Sequence, residues 1–191
     1  MRYFNTVASG DLGASPSPAL HKLRLLSHLL RAVSAGYAVW VLWRIVTWWL
    51  DADKVRRGYS SFLERDLSGM ADWQRYAALG VDSVAWVLLA VAVVHCWKFL
   101  NFLTQPARWN DATLHITRCA WFAIACETIT ELTRPVQSLL MTIHLSTTEQ
   151  VWKPNFRTID MLAILFCLAL LLFAYVFAWT VEIAEENRSF V

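Results

Sequence analysis

From Met161 to Val181 the chain runs 21 residues without a charge, held between Asp160 and Glu182. About 20 helical residues cover the ~30 Å of bilayer hydrocarbon, so this run is read as a membrane crossing. In lipid the helix is favoured because it satisfies its own backbone hydrogen bonds. One such run makes the others worth finding. A second extends over about Leu79–Leu103, with a charge-free centre from Ser83 to Trp97, and a first over about Ala32–Leu50, broken only by Arg44. A third, about Thr117–Ile143, is mixed: Arg118, Glu127, Glu131, Arg134 and Pro135 interrupt it, while 119–126 and 136–143 are apolar. A crossing with a polar middle is the favoured reading, and a soluble amphipathic helix is its rival.

Composition agrees. Apolar types make up 57% of the 191 residues and charged types 17%, below the roughly 25% of a soluble domain. Mean hydropathy is +0.41. The 11 tryptophans suit helices that pass through the lipid–water interface, where an indole has both an apolar body and a donor. The length allows one domain. The expected fold class is therefore all-α: an integral membrane four-helix bundle with spans at about 32–50, 79–103, 117–143 and 161–181. The lipid bilayer is its first partner. A net charge of +2 with scattered basic residues argues against nucleic acid. Cys96, Cys119, Cys126 and Cys167 lie in apolar runs with no C-x-x-C, so they read as small buried residues, not as metal ligands or disulfides.

The connections differ in character. Residues 1–20 are Pro/Gly/Ser-rich, lack an apolar secretion segment, and read as a flexible tail. His21–Leu30 begins a helical pattern that leads into the first span. The 51–78 segment holds ten charges, and Val55, Tyr59, Phe62 and Trp73 recur at roughly helical spacing, which suggests an interfacial helix. Thr104–Ile116 reads as a short turn around Pro106, and His144–Asp160 as an extended loop or small hairpin. Lys22, Arg24 and Arg31 before the first span favour a cytoplasmic N-terminus, and with four spans a cytoplasmic C-terminus.

Ionisable groups at membrane depth cost at least ~2.5–3.5 kcal/mol each, so they must pair, snorkel or face water. Here they are Arg44, Asp82, His95, Glu127, Glu131 and Arg134. Glu127 and Glu131 are one turn apart, and Arg134 follows Glu131 by three on nearly the same stripe. Matching depths across the spans suggests three contacts: Arg44 with Glu131, His95 with Glu127, and Arg134 with Asp82. Such a cluster is either a proton or ion relay or an internal staple that fixes helix order, and the staple is favoured. His28 and His115 fall near one surface, so a bis-His haem is a further alternative, though no cofactor is expected.

The last helix ends AYVFAWTVEIAEENRSFV, with Glu182, Ala184, Glu185, Glu186, Asn187 and Val191 in an acidic closing pattern. This resembles the bacterial domain-of-unknown-function family 2975, small four-span membrane proteins. The segments LRLLSHLLRAV, WKFLNFLTQPARWNDATLHITRCAWFAI, TRPVQSLLMTIHL and TIDMLAILFCLALLLF are similar to the family in the same order. The turn TQPARWND departs from the family's G-E-x-F-like motif, so no role of that turn carries over. The resemblance implies a bacterial inner-membrane location, a fold without an assigned activity or catalytic residue, and a link to regulatory systems. Acids at a helix C-terminus oppose its dipole, by about 0.3–1 kcal/mol each when exposed. Glu182, Glu185 and Glu186 should therefore meet bases, either Lys22 and Arg24 or a partner protein. With no nucleophile–base set, metal spacing or phosphate loop, the expected role is non-enzymatic: a regulator or accessory subunit acting through a membrane-protein partner or a homo-oligomer. A small oligomeric transporter is the alternative.

Overall fold

The structure, a computed structural model, describes residues 18–154 and 158–189. Among them it is all helical: α1 Pro18–Leu50, α2 Ala52–Leu63, α3 Asp72–Leu103, a 3-10 turn Pro106–Arg108, α4 Trp109–Thr142 and α5 Thr158–Ser189. Three of the four long helices, over His21–Leu50, Asp72–Leu103 and Thr158–Asn187, are long and apolar enough to cross a membrane. Most of their large side chains stay exposed, among them Leu25, Leu29 and Trp43 on α1 and Leu165, Phe166 and Leu172 on α5. A face this apolar is what lipid would cover, since a water-soluble monomer rarely exposes so large a patch.

Each long helix begins before its hydropathic span, and α5 also runs past the end of its own. A 33-residue helix such as α1 is about 50 Å long, well beyond the hydrocarbon, so its ends project into headgroups or water. Residues 18–20, placed by sequence in a flexible tail, begin α1, while 1–17 lie outside the described residues. The long connection between the first two spans is α2, an eight-residue link and the first turns of α3. The turn around Pro106 is shorter than expected, because α4 starts at Trp109. Residues 143–154 form a loop with turns and no strand, which removes the hairpin reading for that part.

Packing runs in the order α1, α3, α4, α5. No Cα of α1 lies within 8 Å of one in α4 or α5, and none of α3 within 8 Å of α5. The four long helices therefore form a folded row around the α3–α4 pair, not a closed square. Neutral polar contacts tie α1 to α3: Trp86 Nε1 donates to the Ala38 carbonyl at 3.1 Å and Trp97 Nε1 to Ser34 Oγ at 3.0 Å. Such donors matter in lipid, where apolar burial does not drive helices together.

The two ends are built differently. At the end holding α2 and both longer connections, called here the capped end, Trp49, Val55, Leu67 and Met141 are almost fully buried in one apolar cluster. Gly58 lets α2 approach α1, since a Cβ there would fall 2.7 Å from the Trp48 ring. Arg75 is buried and donates to the Leu50 carbonyl at 2.8 Å, satisfying an otherwise open group at the end of α1. Lys153 Nζ does the same for the Phe62 carbonyl at 3.0 Å, which ties the 143–154 loop to α2. The opposite end, called the terminal end, has only the 3-10 turn between α3 and α4. There Phe99, Leu100, Ala112, Ile116 and Ala174 join α3, α4 and α5.

Candidate functional site

The polar residues of α4 explain its mixed sequence. Glu131, Gln137, Ser138 and Thr142 are all buried, so they face neighbouring helices while Trp121 and Leu132 face outward. Two groups form around them toward the capped end.

The first centres on Arg134. Its Nη1 lies 2.7 Å from Glu131 on the same helix and 2.5 Å from Asp160 at the start of α5. The three side chains are 20%, 8% and 14% exposed, so the guanidinium sits largely out of solvent between two carboxylates. Glu127, one turn below Glu131 on the same helix, is half-buried.

The second centres on Asp82. Trp49 Nε1 donates to Asp82 Oδ2 at 2.5 Å, and Gln137 Nε2 donates to Asp82 Oδ1. The Tyr59 hydroxyl donates in turn to Gln137 Oε1 at 3.0 Å. Four elements therefore meet through one carboxylate and one amide: α1 by Trp49, α2 by Tyr59, α3 by Asp82 and α4 by Gln137. Burial, with the Asp82 charge adding to it, pushes the Tyr59 phenol well above its ordinary value. Beyond this network Gln74 is fully buried, donating to the Leu140 carbonyl at 2.6 Å and accepting from the Ala71 N–H at 2.8 Å. On the water side of the cap, Ser68 donates from its backbone N–H and hydroxyl to Asp66, which lowers that carboxyl's pKa.

All three cross-helix pairs expected from depth are replaced. Arg44 is exposed on α1, which does not approach α4, and its guanidinium lies 5.7 Å from the Trp40 ring centroid. Glu131 takes Arg134 instead. His95 meets His115, with Nδ1 atoms 3.0 Å apart, and stacks on Phe122 rather than reaching Glu127. Asp82 takes neutral donors, and Arg134 takes Asp160. The imidazoles brought together are thus His95 and His115, whereas His28 stays exposed on α1. Trp49, Tyr59 and Gln137 escaped sequence reasoning because it paired charge with charge. The signal available was a buried-depth acid with amide and indole donors at the same level.

At the terminal end Glu182, Glu185, Glu186 and Asn187 are exposed on the last turns of α5. Glu185 accepts from Asn110 Nδ2 at 2.7 Å, a neutral donor at the start of α4 in place of the expected lysine or arginine. Beside the capped network a pocket of about 480 Å³ opens between α1, α2 and α3, with Arg44, Lys54, Trp48, Trp49 and Asp82 on its walls. Among the described residues no group of His, Cys, Asp and Glu is arranged to hold a metal ion, and the four cysteines are unpaired thiols.

No family model, curated protein or solved structure matches this chain.

Proposed function

We propose that this chain is a four-span bacterial inner-membrane protein that acts through protein contacts, as a regulator or accessory subunit, and not as an enzyme. The reading rests on one observation above the others: four of the embedded charges, Asp82, Glu131, Arg134 and Asp160, are engaged inside the fold. Arg134 lies between Glu131 and Asp160, and Asp82 is held by Trp49 and Gln137. Charges locked in this way fix helix order rather than move a substrate, as a buried pair is costly to separate.

The fourth crossing is α4. It lies between α3 and α5, is 34 residues long, and turns its polar groups toward them. Both termini then fall on one side, taken as cytoplasmic from Lys22, Arg24 and Arg31. The likeness of the closing AEENRSFV segment to family 2975 points to the same architecture. In this reading the exposed acidic end of α5, Glu182, Glu185 and Glu186, is the contact surface offered to a partner.

The test is recovery of the full chain from native membranes in mild detergent, beside a variant with all three of those glutamates changed to glutamine. A stoichiometric membrane partner retained by the wild type and lost from the variant supports the reading. Recovery of the chain alone in both cases rejects the partner, and rejects the regulatory role with it.

A second reading, a small oligomeric proton or ion transporter, draws on Glu127. This half-buried carboxylate stands near the single guanidinium that Glu131 and Asp160 already share. Liposome flux that disappears in Glu127→Gln would favour it.

A further inference from the structure

The pocket between α1, α2 and α3 is not used by the contact role just proposed, and its walls carry an imbalance of charge. Arg44 and Lys54 both line it. Asp51 caps the Lys54 backbone N–H at 2.9 Å, but neither the Arg44 guanidinium nor the Lys54 ammonium has a carboxylate within 4 Å among the described residues. Their close neighbours are indole rings instead: Arg44 lies 5.7 Å from the Trp40 centroid and Lys54 Nζ 5.8 Å from that of Trp48. The one acid on the wall, Asp82, does not answer them. Its two oxygens already accept from Trp49 and Gln137, so it is turned into the helix packing. Two cations therefore border a cavity whose one lining acid is held by helix donors and pairs with neither of them.

Depth narrows the ligand. Arg44 stands six residues, about 9 Å, before the end of α1 at Leu50, and Lys54 lies in the first turn of α2. Trp40, Trp43, Trp48 and Trp49 occupy the same stretch, as a belt at the lipid–water boundary does. A phosphate in this layer would meet a guanidinium suited to its oxygens and an ammonium that acts as a point charge. The indole walls would take an attached glycerol or acyl carbon.

We propose that this pocket binds a phosphate-bearing anion through Arg44 and Lys54, the chemistry shared by an anionic phospholipid headgroup and free phosphate. The site anchors α2 against α1 at the membrane surface.

The full chain, purified in mild non-ionic detergent, is titrated with short-chain phosphatidylglycerol, short-chain phosphatidylcholine and inorganic phosphate while tryptophan fluorescence is read. Saturable binding of phosphatidylglycerol is expected to weaken roughly tenfold or more in Arg44→Gln and in Lys54→Gln, the loss expected for a charge-assisted hydrogen bond. Arg65→Gln, which removes a cation at the same end but outside the pocket, should stay within about twofold. Arg44→Lys and Lys54→Arg keep the charge and should retain most of the affinity, so a folding defect in a neutral variant does not decide the matter. Inorganic phosphate that saturates with the same dependence on Arg44 and Lys54 supports the site and assigns it to a soluble anion. Phosphatidylglycerol alone assigns it to lipid. Equal binding of phosphatidylcholine, an equal effect of Arg65→Gln, or no saturable signal with any ligand overturns the proposal.

Discussion

The capped end and the terminal end of this molecule solve the same problem, joining apolar helices, by different means. At the capped end two connecting segments fold back on the helices, bury Trp49, Val55, Leu67 and Met141, and enclose networks around Asp82, Gln74 and Arg134. At the terminal end a three-residue 3-10 turn suffices, the packing is Phe99, Leu100, Ile116 and small residues, and the polar contacts are few: Ser27 with the Leu100 carbonyl is buried, and Asn110 with Glu185 is exposed. Specific order is therefore concentrated at one end. The other is held by a short turn and apolar packing, with the acidic turns of α5 exposed beside it.

Substitutions can break this contrast. Arg134→Met removes the guanidinium from between Glu131 and Asp160, and the loss of one partner from a buried ion group costs ~3–5 kcal/mol. Thermal unfolding in detergent should fall sharply, whereas Asn110→Ala at the terminal end should shift it by less than ~0.5 kcal/mol. Gln137→Leu should come next. It takes the donor from Asp82 and the acceptor from Tyr59, and buried groups stripped of a hydrogen bond cost ~1–3 kcal/mol.

A smaller effect is expected from pH. Folding holds the Tyr59 phenol in its neutral form, above the ordinary tyrosine value of 10. The stability this contributes is complete below that value and declines as pH climbs above it. Tyr59→Phe should flatten the alkaline decline of the thermal midpoint, while forfeiting about 1 kcal/mol from the bond to Gln137. Smallest, and of opposite sign, is Glu64→Gly. Glu64 closes α2 in the left-handed region at φ 55°, where a side chain is strained, so glycine should raise stability by up to ~1 kcal/mol. A loss there would mean that the Glu64 side chain supports the cap.

The sequence disclosed the elements better than their arrangement. The run from Met161 to Val181 marks α5 because a charge-free stretch has few other uses. The spacing of Val55, Tyr59 and Phe62 marks α2, all three turning toward the cap, but Trp73 falls beyond a break at 64–71 and is exposed on α3. The stripe of Glu131 and Arg134 was legible too, because i,i+3 neighbours on a helix are fixed by geometry. Partners across helices were not. Depth alone put Arg44 beside Glu131, but α1 packs on α3 with no Cα within 8 Å of one in α4, and packing order is not written in periodicity. Asp82 defeated a charge-matching argument because an indole and an amide hold it. α4 was ambiguous for a related reason: its average hydropathy mixes an exposed apolar side, with Leu114, Trp121 and Leu132, and a buried polar side.

Whether α4 forms a fourth crossing is addressed directly by side-specific labelling. Single cysteines placed at Ser68, Gln105 and Thr148 in a chain whose four native cysteines are changed to alanine or serine can be probed in intact cells with a membrane-impermeant maleimide. Four crossings put positions 68 and 148 on one side and 105 on the other, in keeping with the contact between Lys153 and Phe62. If position 148 instead labels together with 105, α4 does not cross the membrane and the account is wrong.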